Sequence, residues 1–338
     1  MRAAKLVELN KIELVEVPVP EPERDTDVQV QVRAVGICGT DLHMFREARG
    51  DVQLPRIMGH ELSGLVTKVG KAVTRVKPGD RVVLDPVFAC GVCPTCKKGH
   101  PNVCDSVRCY GVQMDGGYQD YIVVGEEHLY TFDGSITYEE AALAEPFSIA
   151  LNILDRAQLT AEDNLLIIGG GTIGLSILQA AKSVGARVLL SDVIPEKLEI
   201  AKRMGADAVV NSRTDSLREA AGAFAPIGFD VVVDAVGVTP LFQQSLEFAA
   251  PCARVLCIGF DGRPASIPPV VITKKELSII GSRMNCHRFP AVMQRLNDGQ
   301  LRAEEMISRK YSIDDIQKAF EETLTDSAGN VKTLILFD

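Results

Sequence analysis

The glycine-rich turn GGGTIG, residues 169–174, constrains the fold of this chain more than any other segment. It follows an apolar run, LLIIG, and opens a segment whose apolar residues recur at helical spacing. In the G-x-G-x-x-G pattern the first glycine makes the turn, the second lets the backbone approach a pyrophosphate, and the third lets helix and strand pack closely. The turn therefore predicts a dinucleotide-binding fold.

From residue 164 onward, apolar strand patterns alternate with helix patterns, which predicts a doubly wound α/β domain with a parallel sheet of six strands. Asp192 ends the second strand, 18 residues after Gly174, where an acidic side chain should meet the ribose hydroxyls of the adenosine. A helix cap before Pro195 is the alternative role for Asp192. We predict dinucleotide contacts in the glycine turn and beyond it, at Gly169, Gly171, Thr172, Ile173, Gly174, Asp192, Lys197, Gly237, Ile258, Gly259 and Ser282.

The segment from GICGTD to GHE, residues 36–61, gathers side chains suited to a metal. Cys38 and His60 are side-chain types that Zn²⁺ prefers, and a catalytic zinc needs a third protein ligand plus one open position. Glu61, beside His60, is a candidate for that ligand or for a supporting role. Taken alone, the segment is equally compatible with a buried cysteine and a structural His–Glu pair.

Two further residues of this segment predict a path for a proton. The hydroxyl of Thr40 is placed to accept a proton from a substrate hydroxyl, and His43, three residues on, is placed to carry it to water. Such a relay needs each member within hydrogen-bond reach of the next. We therefore predict Thr40, His43 and Glu61 as the catalytic group.

A four-cysteine motif with the spacing C-x2-C-x2-C-x7-C comprises Cys90, Cys93, Cys96 and Cys104. Two intervening residues let a tight loop aim successive thiolates at one tetrahedral centre, which the fourth cysteine closes. We predict a structural zinc here, with an iron–sulfur cluster or unligated thiols as the alternatives. Cys109 has no such spacing and is predicted to be a packing residue.

The tetrapeptide AEPF places Glu145 among small apolar residues at the start of a helical pattern. A carboxylate in such surroundings is costly unless it binds a cation or another partner. Pro146 disfavours helical geometry for the residue before it, so Glu145 is predicted to be extended at a helix boundary.

Length and composition exclude several classes of protein. With 338 residues, of which 46% are hydrophobic, the chain should form two domains. A formal charge of −9 without a basic block argues against nucleic acid as a partner. We find no secretory leader and no apolar run approaching the ~18 residues of a membrane helix. Nine cysteines, four of them bunched, suit a metal in a reducing compartment, so we expect a soluble, cytoplasmic protein without a membrane partner.

Together these motifs resemble the zinc-dependent medium-chain dehydrogenase family over essentially the whole chain. The GICGTD, GHE, four-cysteine, EP and GxGxxG elements occur in the family's order. The resemblance implies a GroES-like β-barrel catalytic domain of residues 1–147 and 289–338, and a Rossmann NAD-binding domain of residues 148–288. It also implies a catalytic zinc in the cleft between the domains, a structural zinc, and a homodimer or homotetramer built by edge strands near residues 265–272.

The resemblance also narrows the choice of candidate metal ligands and candidate substrates. Where alcohol dehydrogenases of the family carry a cysteine as third catalytic ligand, this chain has Glu145, as polyol dehydrogenases similar to sorbitol dehydrogenase do. Cys38, His60 and Glu145 are therefore the implied zinc ligands, and Glu61 is either an exchangeable ligand or a support. The segment KKELSIIGSR, residues 274–283, further resembles the branch that oxidises L-gulonate or L-galactonate at carbon 5.

The implied activity is reversible, NAD-dependent oxidation of a secondary alcohol on a sugar acid, with zinc as Lewis acid. A neutral polyol such as sorbitol, xylitol or an inositol is the alternative substrate. A nucleotide-binding redox sensor and a zinc-buffering protein are the non-enzymatic alternatives. Loss of Cys38, His60 or Thr40 would favour the redox sensor, and all three are present. The four-cysteine lobe would suffice for zinc buffering.

Two residues are predicted to contact the substrate. Arg283 should emerge at the carboxyl end of the parallel sheet, where its guanidinium can hold a carboxylate through paired hydrogen bonds. It is also compatible with a contact to a polyol hydroxyl, to the cofactor or to a domain junction. Asn285, two residues further along, is placed to hydrogen-bond a neighbouring hydroxyl of the substrate.

Overall fold

Separate hydrophobic cores organise the chain in the computed structural model, which describes residues 1–326 and 328–338. Unit 1 comprises Met1–Glu145, Asn285–Gly299 and Met306–Asp338, and unit 2 comprises Pro146–Met284 and Gln300–Glu305. Among the described residues, no helix combines the length and the apolar character that crossing a membrane requires.

The strands are β1 (Arg2–Glu8), β2 (Lys11–Glu16), β3 (Asp27–Gly36), β4 (Arg56–Ile57), β5 (Glu61–Val69), β6 (Arg81–Leu84), β7 (Val87–Phe88), β8 (Arg108–Cys109), β9 (Tyr121–Gly125), β10 (Leu129–Thr131), β11 (Asn164–Ile168), β12 (Arg187–Asp192), β13 (Ala208–Asn211), β14 (Phe229–Asp234), β15 (Ala249–Cys257), β16 (Ser278–Gly281), β17 (Ile307–Ser312) and β18 (Lys332–Leu336). The α-helices are α1 (Gly39–Arg46), α2 (Pro94–Lys97), α3 (Tyr138–Ala142), α4 (Ala144–Ala157), α5 (Thr172–Ser183), α6 (Pro195–Arg203), α7 (Leu217–Phe224), α8 (Thr239–Phe248), α9 (Pro269–Lys275), α10 (Phe289–Asn297) and α11 (Ile316–Thr325).

The main sheet of unit 1 is centred on β3. Its strand order is β10-β6-β5-β3-β18-β17, and β9 also pairs with β3. With β5, β9 and β18 as antiparallel neighbours, β3 has most of its residues buried, and its fully buried valines at positions 28, 30 and 32 alternate with polar residues. The register sets Gly36, the last residue of β3, opposite Glu61, the first of β5. The two ends of the predicted metal segment therefore meet at this edge.

An aromatic cluster packs α1 and α11 together within unit 1. The ring of Phe320 in α11 lies 5.3 Å from the ring of Phe45 in α1 and 5.8 Å from that of Tyr118. All three rings are almost fully buried, and each contributes ~2 kcal/mol or more by leaving water. This packing fixes α1, which begins directly after Cys38.

The sheet of unit 2 has the strand order β13-β12-β11-β14-β15-β16, and every pairing in it is parallel. The order reverses between β11 and β14, and ligands of such sheets bind outside the carboxyl ends of the strands at that point. Since β11 ends at Ile168, the glycine turn lies there. This architecture confirms the predicted doubly wound α/β fold.

The predicted edge strands near residues 265–272 are wrong. Residues 265–268 form no strand, and α9 begins at Pro269. Two successive prolines, Pro268 and Pro269, have no backbone N–H to donate to a strand ladder. Proline is well suited to the first turn of a helix. The strand at this edge of the sheet is β16.

The prediction that Glu145 is extended is also wrong, because Glu145 is the second residue of α4. Pro146 falls in the first turn, where its missing N–H leaves no intrahelical bond unmade. The next turn of α4 buries Phe147 and Ala150 completely. Burial of this helix outweighs the local bias of a residue that precedes proline.

Candidate active site and nucleotide site

The four motif cysteines converge in one lobe of unit 1. The Sγ atom of Cys104 lies 3.5 Å from that of Cys90 and 3.8 Å from that of Cys93. A tetrahedral site with Zn–S bonds of ~2.3 Å has S···S edges of about 3.8 Å, whereas a disulfide needs about 2.05 Å. The backbone N–H groups of Cys93 and Cys96 each donate to the Sγ three residues earlier, at 3.3 and 3.4 Å. The backbone N–H of Cys90 lowers the pKa of Cys104 to about 6, which favours thiolate.

A second group brings together Cys38, His60 and Glu61, whose ligating atoms all lie within 4.8 Å of one another. Cys38 caps the start of α1, and Glu61 opens β5. A Cβ added at Gly36 would lie 2.0 Å from Oε2 of Glu61, so a side chain there would displace the carboxylate. His60 is 5% exposed and Glu61 1%. The sequence segment therefore folds into a cluster of sulfur, nitrogen and oxygen donors in which His60 and Glu61 are buried and Cys38 is half-buried.

Asp41 supports this cluster from the side of α1. Its buried carboxylate accepts the backbone N–H of Cys38 at 2.9 Å and the hydroxyl of Tyr118 at 3.2 Å. Its Oδ1 lies 3.6 Å from Nδ1 of His60, beyond hydrogen-bond range, and that nitrogen has no partner among the described residues. Burial alone would lower the pKa of His60, but the charges of Asp41 and Cys38 outweigh burial and raise the pKa. Asp41 therefore acts on the imidazole as a neighbouring negative charge and not through a hydrogen bond.

Glu145 lies close enough to this cluster to interact with its charges. The group of described residues within 4.8 Å does not include it. Burial raises the pKa of Glu145 to about 7, with His60 lowering it and Glu61 raising it. A divalent cation held by Cys38 and His60 would favour the ionised form of this carboxyl. The role of Glu145 as a zinc ligand stays a prediction.

Two other groups, both of half-buried residues, share this environment. The carboxylate of Asp85 accepts hydrogen bonds from Nδ2 of Asn285 and from the backbone N–H of Val87, both at 3.1 Å, and burial raises its pKa. Burial raises the pKa of Cys109 to about 12, against the opposing charge of His60. The Cys109 thiol is therefore neutral, as suits a packing residue.

Sequence reasoning misses Lys332, which begins β18. Its Nζ donates to both carboxylate oxygens of Glu61 at 2.7 Å and to the carbonyl of Ile37 at 3.0 Å. Burial alone would lower the pKa of Lys332, but Glu61 and Cys38 outweigh burial and raise it. The sequence signal that could have found it is the lysine itself, which opens a strand, KTLIL, whose last three residues are apolar.

The two predicted relay residues both lie on α1. Thr40 is half-buried and His43 is exposed. Side chains three residues apart on a helix are neighbours on its surface, so the two share one face. Their spacing is compatible with passing a proton from the buried cluster to water.

The glycine turn of unit 2 has the backbone that its pattern predicts. Gly169 has a φ of 107°, which only glycine adopts readily. A Cβ added at Gly174 would lie 1.8 Å from the carbonyl oxygen of Gly169, whereas one at Gly171 would meet nothing within 4 Å. Thr172 and Ile173 are the first residues of α5, whose N-terminus suits an anion.

Asp192 is tied to the glycine turn. Its Oδ2 accepts the backbone N–H of Gly170 at 2.5 Å, and its Oδ1 accepts that of Ile194 at 2.8 Å. The residue that caps α6 is Ile194, so Asp192 does not have the alternative capping role. Its carboxylate keeps lone pairs that can accept ribose hydroxyls.

The other predicted nucleotide residues lie on neighbouring parts of unit 2. Gly237 and Gly259 follow β14 and β15, and a Cβ at Gly259 would lie 2.3 Å from the Gly237 carbonyl oxygen. Ile258 lies between β15 and Gly259. The Cβ of half-buried Lys197 would lie 3.3 Å from a Cβ added at Gly170. Ser282 directly follows β16.

The two predicted substrate residues differ in exposure. Arg283 lies two residues after β16 and is exposed. Asn285 is 1% exposed, and its Oδ1 is buried without a hydrogen-bond partner among the described residues. Leaving such a group unsatisfied costs about 1–3 kcal/mol, so we expect a water or a ligand hydroxyl to donate to it. Both substrate roles stay predictions.

The donors around Cys38 and His60 fit a zinc ion. One thiol, one imidazole and carboxylates form the mixed set that zinc accepts. Among the described residues that interact in this region, the carboxyl groups outnumber the cations; the carboxyl groups are Asp41, Glu61, Asp85 and Glu145, and the cations are Lys332 and His60. A divalent cation would offset this excess of buried acid.

Comparisons with known proteins identify the family. Residues 24–133 match an alcohol dehydrogenase GroES-like domain, and residues 172–298 match a zinc-binding dehydrogenase. The starvation-sensing protein RspB of Escherichia coli K12 is 34% identical over 90% of this chain and 90% of that protein. The chain belongs to the zinc-binding dehydrogenase family.

Other relatives and solved structures support this assignment. Sorbitol dehydrogenase of Bacillus subtilis is 33% identical over 89% of this chain and 88% of that protein. L-Idonate 5-dehydrogenase of Vitis vinifera is 31% identical over 90% of this chain and 86% of that protein. A structure of RspB from E. coli CFT073 with NADH has a TM-score of 0.94 and 34% identity, covering 100% of this chain and 99% of that chain.

A zinc-binding dehydrogenase of Sinorhizobium meliloti with bound NADP has a TM-score of 0.91 and 31% identity, covering 99% of each chain. These matches confirm the predicted zinc-dependent dehydrogenase family and the GroES-like and Rossmann folds. As a zinc-binding dehydrogenase the protein is an oxidoreductase.

Proposed function

We propose that this zinc-binding dehydrogenase oxidises, reversibly and with NAD, a secondary alcohol of a sugar acid of the L-gulonate or L-galactonate type. The observation that carries the proposal is the buried group of Cys38, His60 and Glu61. A zinc ion bound there would supply a Lewis acid that lowers the pKa of the substrate hydroxyl. The likeness to L-idonate 5-dehydrogenase and sorbitol dehydrogenase supports a polyhydroxylated substrate.

The chain's own residues take separate roles in this reaction. Cys38, His60 and Glu145 would hold the zinc ion, and Glu61 would bind it transiently or support it. Thr40 accepts the proton that leaves the substrate hydroxyl, and its neighbour on α1, His43, delivers that proton to water. Asp41 places a negative charge beside the imidazole of His60.

The assembly and the domain limits are also proposals. We propose one zinc at the four-cysteine lobe and one at Cys38 and His60, since each site has its own set of ligating atoms. We propose domains of residues 1–147 with 289–338 and 148–288. The unit boundaries near residues 145 and 285 lie within a few residues of these limits, whereas Gln300–Glu305 groups with unit 2. A homodimer or homotetramer is supported by β16, an edge strand with the exposed apolar residue Ile279.

Asp192 should make NAD the preferred coenzyme. Its charge would repel the 2′-phosphate of NADP, and a tenfold preference needs only about 1.4 kcal/mol. We expect kcat/KM with NAD to exceed that with NADP by about tenfold or more, and Asp192→Asn to shrink the ratio. Asp230→Asn is a matched control, because Asp230 binds the backbone at the opposite end of β11. Equal or better kcat/KM with NADP in the wild type would refute the role of Asp192.

A substrate panel tests the sugar-acid assignment. A guanidinium at position 283 should favour carboxylates, and a hydrogen bond to a charged group is worth about 1.5–3 kcal/mol. We therefore expect L-gulonate or L-galactonate to be oxidised with kcat/KM about tenfold or more above the matching neutral polyols. Arg283→Leu should erase this difference by weakening only the acids, as measured by NADH formation. Arg203→Leu, which changes an exposed arginine on α6, is the control.

A neutral polyol is the second candidate, favoured by the excess of buried acids around Cys38 and His60. With a zinc ion whose charge these acids offset, the site would have no net positive charge to attract a substrate carboxylate. If sorbitol, xylitol or an inositol outperforms every aldonate in the wild type, the sugar-acid assignment is rejected. If no compound in the panel reduces NAD or NADP, a nucleotide-binding redox sensor becomes the better reading.

A further inference from the structure

Lys332 and Glu61 form a buried ion pair directly beside the proposed metal ligands. Nζ of Lys332 donates to both oxygens of Glu61 at 2.7 Å and to the carbonyl oxygen of Ile37 at 3.0 Å. These bonds use all three donors of the ammonium. Both charged side chains are 2% exposed, so water does not compete for them. Removing one partner of such a buried pair is strongly destabilising, because the other charge is left buried without compensation.

The backbone of the central sheet fixes this pair. Glu61 opens β5 opposite Gly36 of β3, and β18, which carries Lys332, pairs with the other edge of β3. The missing side chain of Gly36 leaves room for the Glu61 carboxylate. Through the carbonyl of Ile37, the ammonium also contacts the peptide just before Cys38. Lys332 therefore links Glu61 to the loop that presents the thiol.

Glu61 consequently has two competing partners. Its carboxylate lies within 4.8 Å of the ligating atoms of Cys38 and His60, so it can approach a metal held there. The same oxygens both accept hydrogen bonds from Lys332. If Glu61 moved fully onto the metal, a buried ammonium would lose its counter-charge, which is costly. The ammonium therefore opposes lasting coordination by Glu61.

We propose that Lys332 is a positioning residue that keeps Glu61 from remaining on the catalytic zinc, so that a coordination position stays open for the substrate. This inference rests on the proposed function, because it requires a metal at Cys38 and His60. It deepens that function by assigning to Lys332 the control of ligand exchange.

The test uses the full chain loaded with Co²⁺, whose visible absorption reports the number and type of its ligands. The contribution of the four-cysteine lobe is subtracted using Cys38→Ser loaded in the same way. Lys332→Met keeps the length of the side chain but removes its charge. We expect it to shift the cobalt spectrum towards a higher coordination number and to slow metal removal by a chelator by about tenfold. The value of kcat should fall with it.

A double variant distinguishes a positioning role of Lys332 from a purely structural one. In Lys332→Met/Glu61→Gln no carboxylate remains to occupy the metal, so the spectrum and the rate of metal removal should return towards wild type. A merely structural role predicts instead that Lys332→Met loses metal faster, and that Glu61→Gln does not reverse this. An unchanged spectrum with unchanged or faster metal loss in Lys332→Met would overturn the proposal. Lys332→Arg, which keeps the charge, should stay close to wild type in both readouts.

Glu61→Gln alone supplies an independent test should Lys332→Met not fold. If Lys332 holds Glu61 off the metal, this variant should leave the cobalt spectrum of the resting enzyme unchanged. A large spectral change would show that Glu61 is a permanent ligand, and the proposal would be wrong. If the wild type binds metal only at the four cysteines, the proposed function itself fails. Metal uptake at Cys38 and His60 with no dependence on Lys332 refutes only the present inference.

Discussion

Glu145→Ala should lower kcat by about a thousandfold or more, because a catalytic metal supplies several kcal/mol of transition-state stabilisation and each tenfold in rate is worth about 1.4 kcal/mol. The zinc of the four-cysteine lobe should remain, since its ligands are separate. Steady-state kinetics and the zinc content per chain measure the two effects. A role limited to supporting the ligands would cost only about 10–100-fold, so the size of the loss decides between these roles.

Glu139→Ala is the matched control for this prediction. Glu139 lies six residues earlier, on α3, and forms a surface ion pair with Lys310 at 3.0 Å. Such pairs are worth about 0–1 kcal/mol, so this variant should keep its activity and both metals. Near-normal activity of Glu145→Ala with two metals per chain would show that Glu145 is not a ligand. Glu61 would then be the candidate for the third protein ligand, since it already lies with Cys38 and His60.

The parts of the site that could be predicted from the sequence depend on local spacing. Cys90 and Cys93 lie three residues apart, and one tight loop aims both thiols at a single centre. The first and third glycines of the turn are likewise fixed by the backbone between a strand and the helix that follows it. Such rules act over a few residues, so they can be read without knowledge of the tertiary fold.

The parts that sequence reasoning missed depend on contacts between distant segments. Lys332 meets Glu61 across 271 positions of the chain, and Asn285 meets Asp85 across 200. No local pattern specifies which strand of unit 1 pairs with β3. The lysine at the start of β18 is a local sign that a buried acid lies near this strand. At Glu145 a local rule gives the wrong answer. A residue before proline disfavours helical geometry, but burial of α4 keeps Glu145 in the helix.

Gly174→Ala should disrupt nucleotide binding and destabilise unit 2. The new Cβ would lie 1.8 Å from the carbonyl oxygen of Gly169, which belongs to the backbone and cannot rotate away. Relief requires α5 to move off β11 or the turn to open, at a cost of about 3 kcal/mol or more. We expect a lower midpoint of unfolding and NADH affinity reduced by about tenfold or more, measured by denaturation and fluorescence titration. Wild-type stability and NADH affinity in this variant would refute the packing role of Gly174.

Substitutions at two other glycines distinguish a loss of stability from a loss of nucleotide binding. Gly222→Ala adds a methyl group in α7 with nothing within 4 Å, and alanine is favoured over glycine in a helix by about 0.5–1 kcal/mol. This variant should be as stable as wild type or more so, with unchanged NADH affinity. Gly171 has an ordinary φ of −75° and equally open surroundings, so Gly171→Ala should also fold normally. If the pyrophosphate approaches the backbone there, however, the added methyl group will collide with the ligand. Lower NADH affinity at undiminished stability in Gly171→Ala would therefore place the phosphates at this turn, and unchanged affinity would place them elsewhere.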